Sequence, residues 1–221
     1  MRVKTARYLR MSVPGRPKGE YRSAQHEGCL MSIELEHVRR ETRAWVHRAV
    51  IGLNLCPFAK AVQAKDQVRY VVSDTTDPQA LLVTLRDELL HLRDADPAEV
   101  DTTLLIHPNT LNDFDEFNDF LGAAEEALED LGLEGVLQIA SFHPHYRFSG
   151  TAADDMGNAT NRSPHPCLHL LREASITRVV EAFPEPQTIF ETNIRTLEAL
   201  GAAGWAELQA ACRRDASETS D

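Results

Sequence analysis

Apolar residues set the first division of the chain. From Ser32 onward Leu35, Val38, Trp45, Val46, Ala49, Val50 and Leu53 recur at three- and four-residue spacing, with Ser32 in place to cap and Gly52 near the end, which predicts an amphipathic helix. Pro57 suits the first position of a second helix and puts Cys56 near its N-terminus. VRYVVSD (68–74) is β-branched and aromatic, a strand by composition, and Asp77-Pro78 opens a helix with the stripe Leu82, Leu85, Leu89 and Leu92. TTLLIHPN (102–109) is a short apolar run between turn residues, as in a strand covered on both faces. Asp113 starts a further helix carrying Phe114, Phe117, Leu121, Ala124, Leu128 and Leu131, which Gly132 ends, and GVLQIASF (135–142) reads as a third strand.

Beyond that strand the pattern turns polar over RFSGTAADDMGNATNRS, a loop too long for a plain connector. Ser163 and Pro164 then look like the N-cap and first position of a helix, with His165, His169 and Glu173 one turn apart on its face. A helix after Ser175, another over 188–200, and a last one past the GAAG break with Trp205, Leu208 and Cys212 complete the series. The expected fold is α/β: one domain over 32–213, a βαβαβ core with a small, mainly parallel sheet, an N-terminal helix and a C-terminal helical segment.

Charge separates the ends from the body. Residues 1–30 carry seven Lys/Arg against two acids, include Pro14, Pro17 and three glycines, and show no apolar periodicity. Residues 1–31 are therefore expected to be a disordered basic extension or a start-site artefact, and 214–221 a polar tail. The remainder is strongly acidic within a formal net charge of -11, and an acidic body repels phosphate backbones, so nucleic acid is not an expected partner. No apolar run approaches the roughly 18 residues of a membrane span. Cys29, Cys56, Cys167 and Cys212 lie far apart without a CxxC pair, which is cytosolic usage with reduced thiols.

The chemistry concentrates between Gln138 and Glu173. In open α/β sheets ligands collect beyond the carboxyl ends of strands, where Ser73 and Asp74, His107 and Asn109, and His143 and His145 are expected to converge. His143 and His145 in FHPHYRF have a spacing that sends both imidazoles to one side of an extended chain, as a metal pair requires, with His169 as a third ligand. Either a divalent metal ion (Zn, Fe or Mn) or no cofactor fits this pattern. Asp154 adds a carboxylate, while Arg147, Asn158, Asn161, Arg162 and Arg172 offer amides and guanidiniums to an anionic small molecule. Cys56, at a helix N-terminus where the dipole favours thiolate, is a rival centre.

The segments NLCPFA, LIHPNT, FHPHYRFSGT and NRSPHPCLHLLRE resemble a bacterial protein family, with plant relatives, known only as a domain of unknown function. The likeness runs over roughly Glu41 to Leu200 and implies a cytosolic single-domain protein without assigning an activity. From the residues themselves, the expected function is a small cytoplasmic enzyme with a histidine-rich, metal-binding site, formed by His107, His143, His145 and His169, acting on a small anionic metabolite. The alternatives are a thiol enzyme with Cys56 as nucleophile and a ligand-binding module without turnover.

Overall fold

The computed structural model describes residues 18–182 and 187–218. Helix α1 spans Lys18–Trp45 and continues as a π-helical turn over Val46–Ile51. The basic extension expected over 1–31 lies partly outside the described residues; within it, the backbone from Lys18 is helical. The compact body is Leu35–Asp221.

The wide turn at the end of α1 depends on Gly52. Its N–H reaches back to the carbonyls of His47 and Ala49, and a Cβ at this position would collide with the Arg48 carbonyl. Short helix α2 (Ala59–Ala64) follows, then β1 (Val68–Val72), α3 (Pro78–Asp94), β2 (Thr102–Ile106), α4 (Phe114–Asp130) and β3 (Leu137–Phe142). Asp77 and Asp113 cap α3 and α4, each accepting two main-chain N–H groups of the first turn.

The segment expected to be a helix from Ser163 is instead β4 (Cys167–Arg172), after a loop containing a 3₁₀ turn at Met156–Asn161. Helix α5 (Glu173–Ala182) and α6 (Gln187–Ser217) close the chain, and Gly201, at φ +67, breaks α6 at the expected GAAG site. β4 occupies the middle of the sheet, in the order β1-β2-β4-β3. β1 and β2 pair parallel, while β4 is antiparallel to both β2 and β3. The three expected strands thus run in one direction, and the sheet is mixed because the fourth is threaded between two of them. A central strand is buried on both faces, so Cys167, Leu168 and Leu170 form a near-continuous apolar run that does not alternate.

Alternate residues of the strands feed two cores. On one face Leu105, Leu168, Leu170 and Leu137 meet the leucine stripe of α3 (Leu81, Leu85, Leu89, Leu92) and Phe117, Ala124 and Leu128 of α4. Full burial of each such leucine contributes about 1.5–3 kcal/mol. On the other, Leu104, Ile106 and Cys167 meet Trp45, Val46 and Ala49 of the α1 end and Leu197, Trp205 and Cys212 of α6. Arg48 in the π turn ties this layer together through a two-pronged bond to Asp215 at 2.6 and 2.7 Å.

Candidate functional site

Because β1, β2 and β3 share a direction, their carboxyl ends lie on one rim of the sheet, joined there by the start of β4. Main-chain bonds stitch this rim: Ser73 N–H to Ile106 O, His107 N–H to Pro166 O and His143 N–H to Asn161 O. Glu41 of α1 reaches the same rim and meets His165 Nε2 at 3.0 Å. Burial pushes the Glu41 carboxyl upward, but the hydrogen bond and charge of His165 outweigh it and leave the group below its ordinary value.

His107 and His143, the first residues past β2 and β3, turn inward. Both are fully buried and stack on Phe117, with ring centroids at 5.7 and 5.1 Å. His107 donates from Nδ1 to Thr110 O at 2.9 Å, and its Nε2 is buried without a partner. Burial lowers its pKa to about 4, so the ring is neutral at pH 7. His143 Nδ1 accepts the His145 main-chain N–H at 3.1 Å, which leaves the proton on Nε2 to be donated to Leu111 O at 3.2 Å. Burial, above all, lowers its pKa as well. With both nitrogens engaged, His143 orders the backbone beneath His145.

The long loop is equally structured. Buried Asn158 accepts Phe148 N–H and Thr151 Oγ–H at Oδ1 and donates to Ala152 O, and Asn161 donates to Ser141 O. Asp155 caps the 3₁₀ turn through Gly157 N–H. These bonds hold Arg162 half-buried, donating from Nε to Tyr146 O at 3.2 Å and from Nη2 to Ala153 O at 2.6 Å. Among the described residues no carboxylate lies within ion-pair distance of it. Burial lowers the Arg162 pKa, partly offset by the Asp155 charge, and a guanidinium stays protonated even so.

Arg162 opens into a polar cleft of about 220 Å³ with His145, Arg147, Asp113, Phe114 and Asp115. Arg147 stands 3.9 Å from Asp115, a long and exposed pairing of little strength. The first turn of α4 borders the cleft, where its positive end is met by the capping Asp113 and by Asp115, so two carboxylates stand opposite the two guanidiniums.

Of the expected site residues, the structure brings His145, Arg147 and Arg162 together and places His107 and His143 as supports behind them. Asn158 and Asn161 shape the loop, and Asp154 is exposed outside the cleft lining. Arg172 is spent on Leu92 O, Ala95 O and Val100 O around the end of α3. His169 lies on the opposite face of the sheet, packed near Phe142 and bonded through Nε2 to Thr102 Oγ, so it does not join His143 and His145. Among the described residues no three His, Cys, Asp or Glu side chains are grouped to hold a metal ion. Cys56 also belongs to that opposite face, in an apolar cavity. Asp113, Asp115 and Glu41 were absent from the expected set; the cap signal at Asp113, one loop beyond a strand end, marks the first two.

Residues 37–207 match the family model of a protein of unknown function, DUF1415. The chain belongs to the DUF1415 family. The match takes in the rim, the cleft, the first core and the second core except for Leu208 and Cys212 near the end of α6. No curated protein and no solved structure matches this DUF1415 chain. No helix among its described residues is long and apolar enough to cross a membrane.

Proposed function

We propose that this DUF1415 protein binds a small anionic metabolite, a carboxylate or phosphate ester, in the rim cleft and acts on it by acid–base chemistry at His145. One observation carries the reading: Arg162 is half-buried and oriented by two main-chain carbonyls, with no carboxylate partner among the described residues. A buried guanidinium costs free energy unless an anion reaches it, and its planar fork matches two oxygens of a carboxylate or phosphate. Arg147, tethered only loosely, supplies a second contact. His145 is exposed in the same cleft, and its backbone is pinned by His143, so the imidazole is free to exchange protons with a bound ligand.

This reading routes no step through a metal, because both nitrogens of His143 are already bonded. It is also favoured over thiol catalysis. The histidine sharing a cavity with Cys56 is His169, whose pKa burial lowers to about 4, which makes it a poor base.

Thermal denaturation with inorganic phosphate, citrate and a set of sugar phosphates provides the test. The wild type is expected to gain stability with at least one anion class, Arg162→Gln to lose that gain, and His145→Ala to bind the same anion but convert none of it. An equal response in Arg162→Gln, or no response in the wild type, overturns the site. Binding without any product in the wild type reduces the protein to a binding module.

A further inference from the structure

A second cavity, partly open to solvent, lies on the other face of the sheet beneath the end of α1, the π turn and α2. It measures about 160 Å³, and its walls include Trp45, Val50, Phe58, Val62, Leu104 and Phe142. An apolar cavity of about 150 Å³ stays dry and takes a benzene ring. This one is not featureless. Thr102 Oγ–H donates to Leu170 O at 2.6 Å, so the same oxygen accepts from His169 Nε2–H at 2.7 Å. That chain fixes the tautomer and leaves His169 Nδ1 as an acceptor without a partner among the described residues. Two further lining residues, Trp45 and Arg172, each carry a buried N–H with no partner. At one end Asp101 accepts from Ser175 Oγ–H at 2.7 Å and stands 4.0 Å from Arg178, while Arg172 donates to three carbonyls.

We infer that this cavity is a binding site for a neutral, single-ring aromatic molecule bearing one hydrogen-bond donor, of the phenol class, whose O–H is received by His169 Nδ1. The volume fits one ring, the walls supply dispersion contact, His169 Nδ1 receives the O–H, and the same hydroxyl oxygen has unpartnered N–H groups of Trp45 and Arg172 in the lining to accept from. An anion is disfavoured because the walls are largely apolar, the Asp101 carboxylate stands at the same end as Arg172, and Arg172 Nη2 is already donated to three carbonyls. The site is separate from the rim cleft and stands or falls independently of it.

The experiment titrates p-cresol, toluene and benzoate into the full chain by calorimetry, with alkylation of the Cys56 peptide followed by mass spectrometry. Cys56 lines the cavity and is only half-buried, so an occupant slows its modification. The expected result is saturable p-cresol binding, about three- to tenfold tighter than toluene, with protection of Cys56 and no protection by benzoate. Val62→Phe, placing a ring in the cavity, is expected to abolish p-cresol binding while melting cooperatively. His169→Leu is expected to bring p-cresol to the toluene level, and Arg162→Gln to leave it unchanged. Absence of p-cresol binding, equal affinity for toluene, protection by benzoate, or undiminished binding in a folded Val62→Phe variant overturns the assignment.

Discussion

The two faces of the sheet are covered by helix in different ways. On one face, α3 and α4 are two regular 17-residue helices, each begun by a capping aspartate, and their leucine and phenylalanine stripes close against the strands. On the other, the cover is made of a π turn, a six-residue helix and a helix broken at Gly201. Regular helices present evenly spaced ridges that interdigitate with a sheet, whereas a widened turn and a break interrupt those ridges. The cavity is found on the irregular face, and the polar cleft at the rim where α4 begins. Both faces carry a cluster of buried apolar side chains, and the apolar cavity lies where regular packing is interrupted.

Substitutions separate these roles. The largest effect is expected for Leu89→Ala in the closed core, a loss of about 2–5 kcal/mol in urea unfolding, against less than about 1.5 kcal/mol for Val62→Ala on the cavity wall, which already borders empty space. Equal losses would show that the second face has no slack. Acid comes next. His107 must be neutral in the fold, with a pKa of about 4 against an ordinary 6.5, so the unfolded chain takes up its proton first. Stability is therefore full above about pH 6.5 and falls as pH drops toward 4, by on the order of 3 kcal/mol from this residue. His169, with the same direction and value, adds to the slope. Melting curves across that interval check this, and a flat profile would place water beside these rings.

Smaller changes sharpen the contrast. Val62→Phe is expected to raise stability by about 0.5–2 kcal/mol by filling the cavity. Arg162→Gln is expected to cost about 0.5–1.5 kcal/mol in unfolding free energy, through the bonds to Tyr146 O and Ala153 O, and to remove the response to anions altogether.

Much of the fold is legible in the chain because local signals and tertiary structure agree. Asp77 and Asp113 act as caps where their position predicts, and Gly201 breaks α6 where GAAG stands. β4 was not legible, because Ser163-Pro164 imitates a helix start and a strand buried on both faces loses its alternation. Ser163 in fact donates to His165 O, closing a turn before the strand. The misread strand also carried the misplaced histidine: on a helix His165 and His169 share a face, but in the structure His165 meets Glu41 at the rim and His169 sits under the π turn. The bonding of His143 was hidden for a subtler reason. HxH spacing says where the side chains point, but not that one ring will accept its neighbour's main-chain N–H. His145, Arg147 and Arg162 were legible because polar residues beyond a strand end have few structural uses for a charge.

The threading of β4 between β2 and β3 bears on the order in which the chain acquires its structure. As the protein emerges from the ribosome, β1, α3 and β2 are complete as a unit, but β3 has no strand to join when it appears, since its only partner among the described residues is β4. A nascent chain that stops before Cys167 exposes two apolar strand edges, one on β2 and one on β3, flanked by helices already formed. Closing that gap joins Thr102 to Leu171 and Leu137 to Arg172, non-local pairings of the kind that slow folding. The vulnerable interval in the life of this protein thus falls late in synthesis, when an unfilled slot in the sheet invites a strand from another chain.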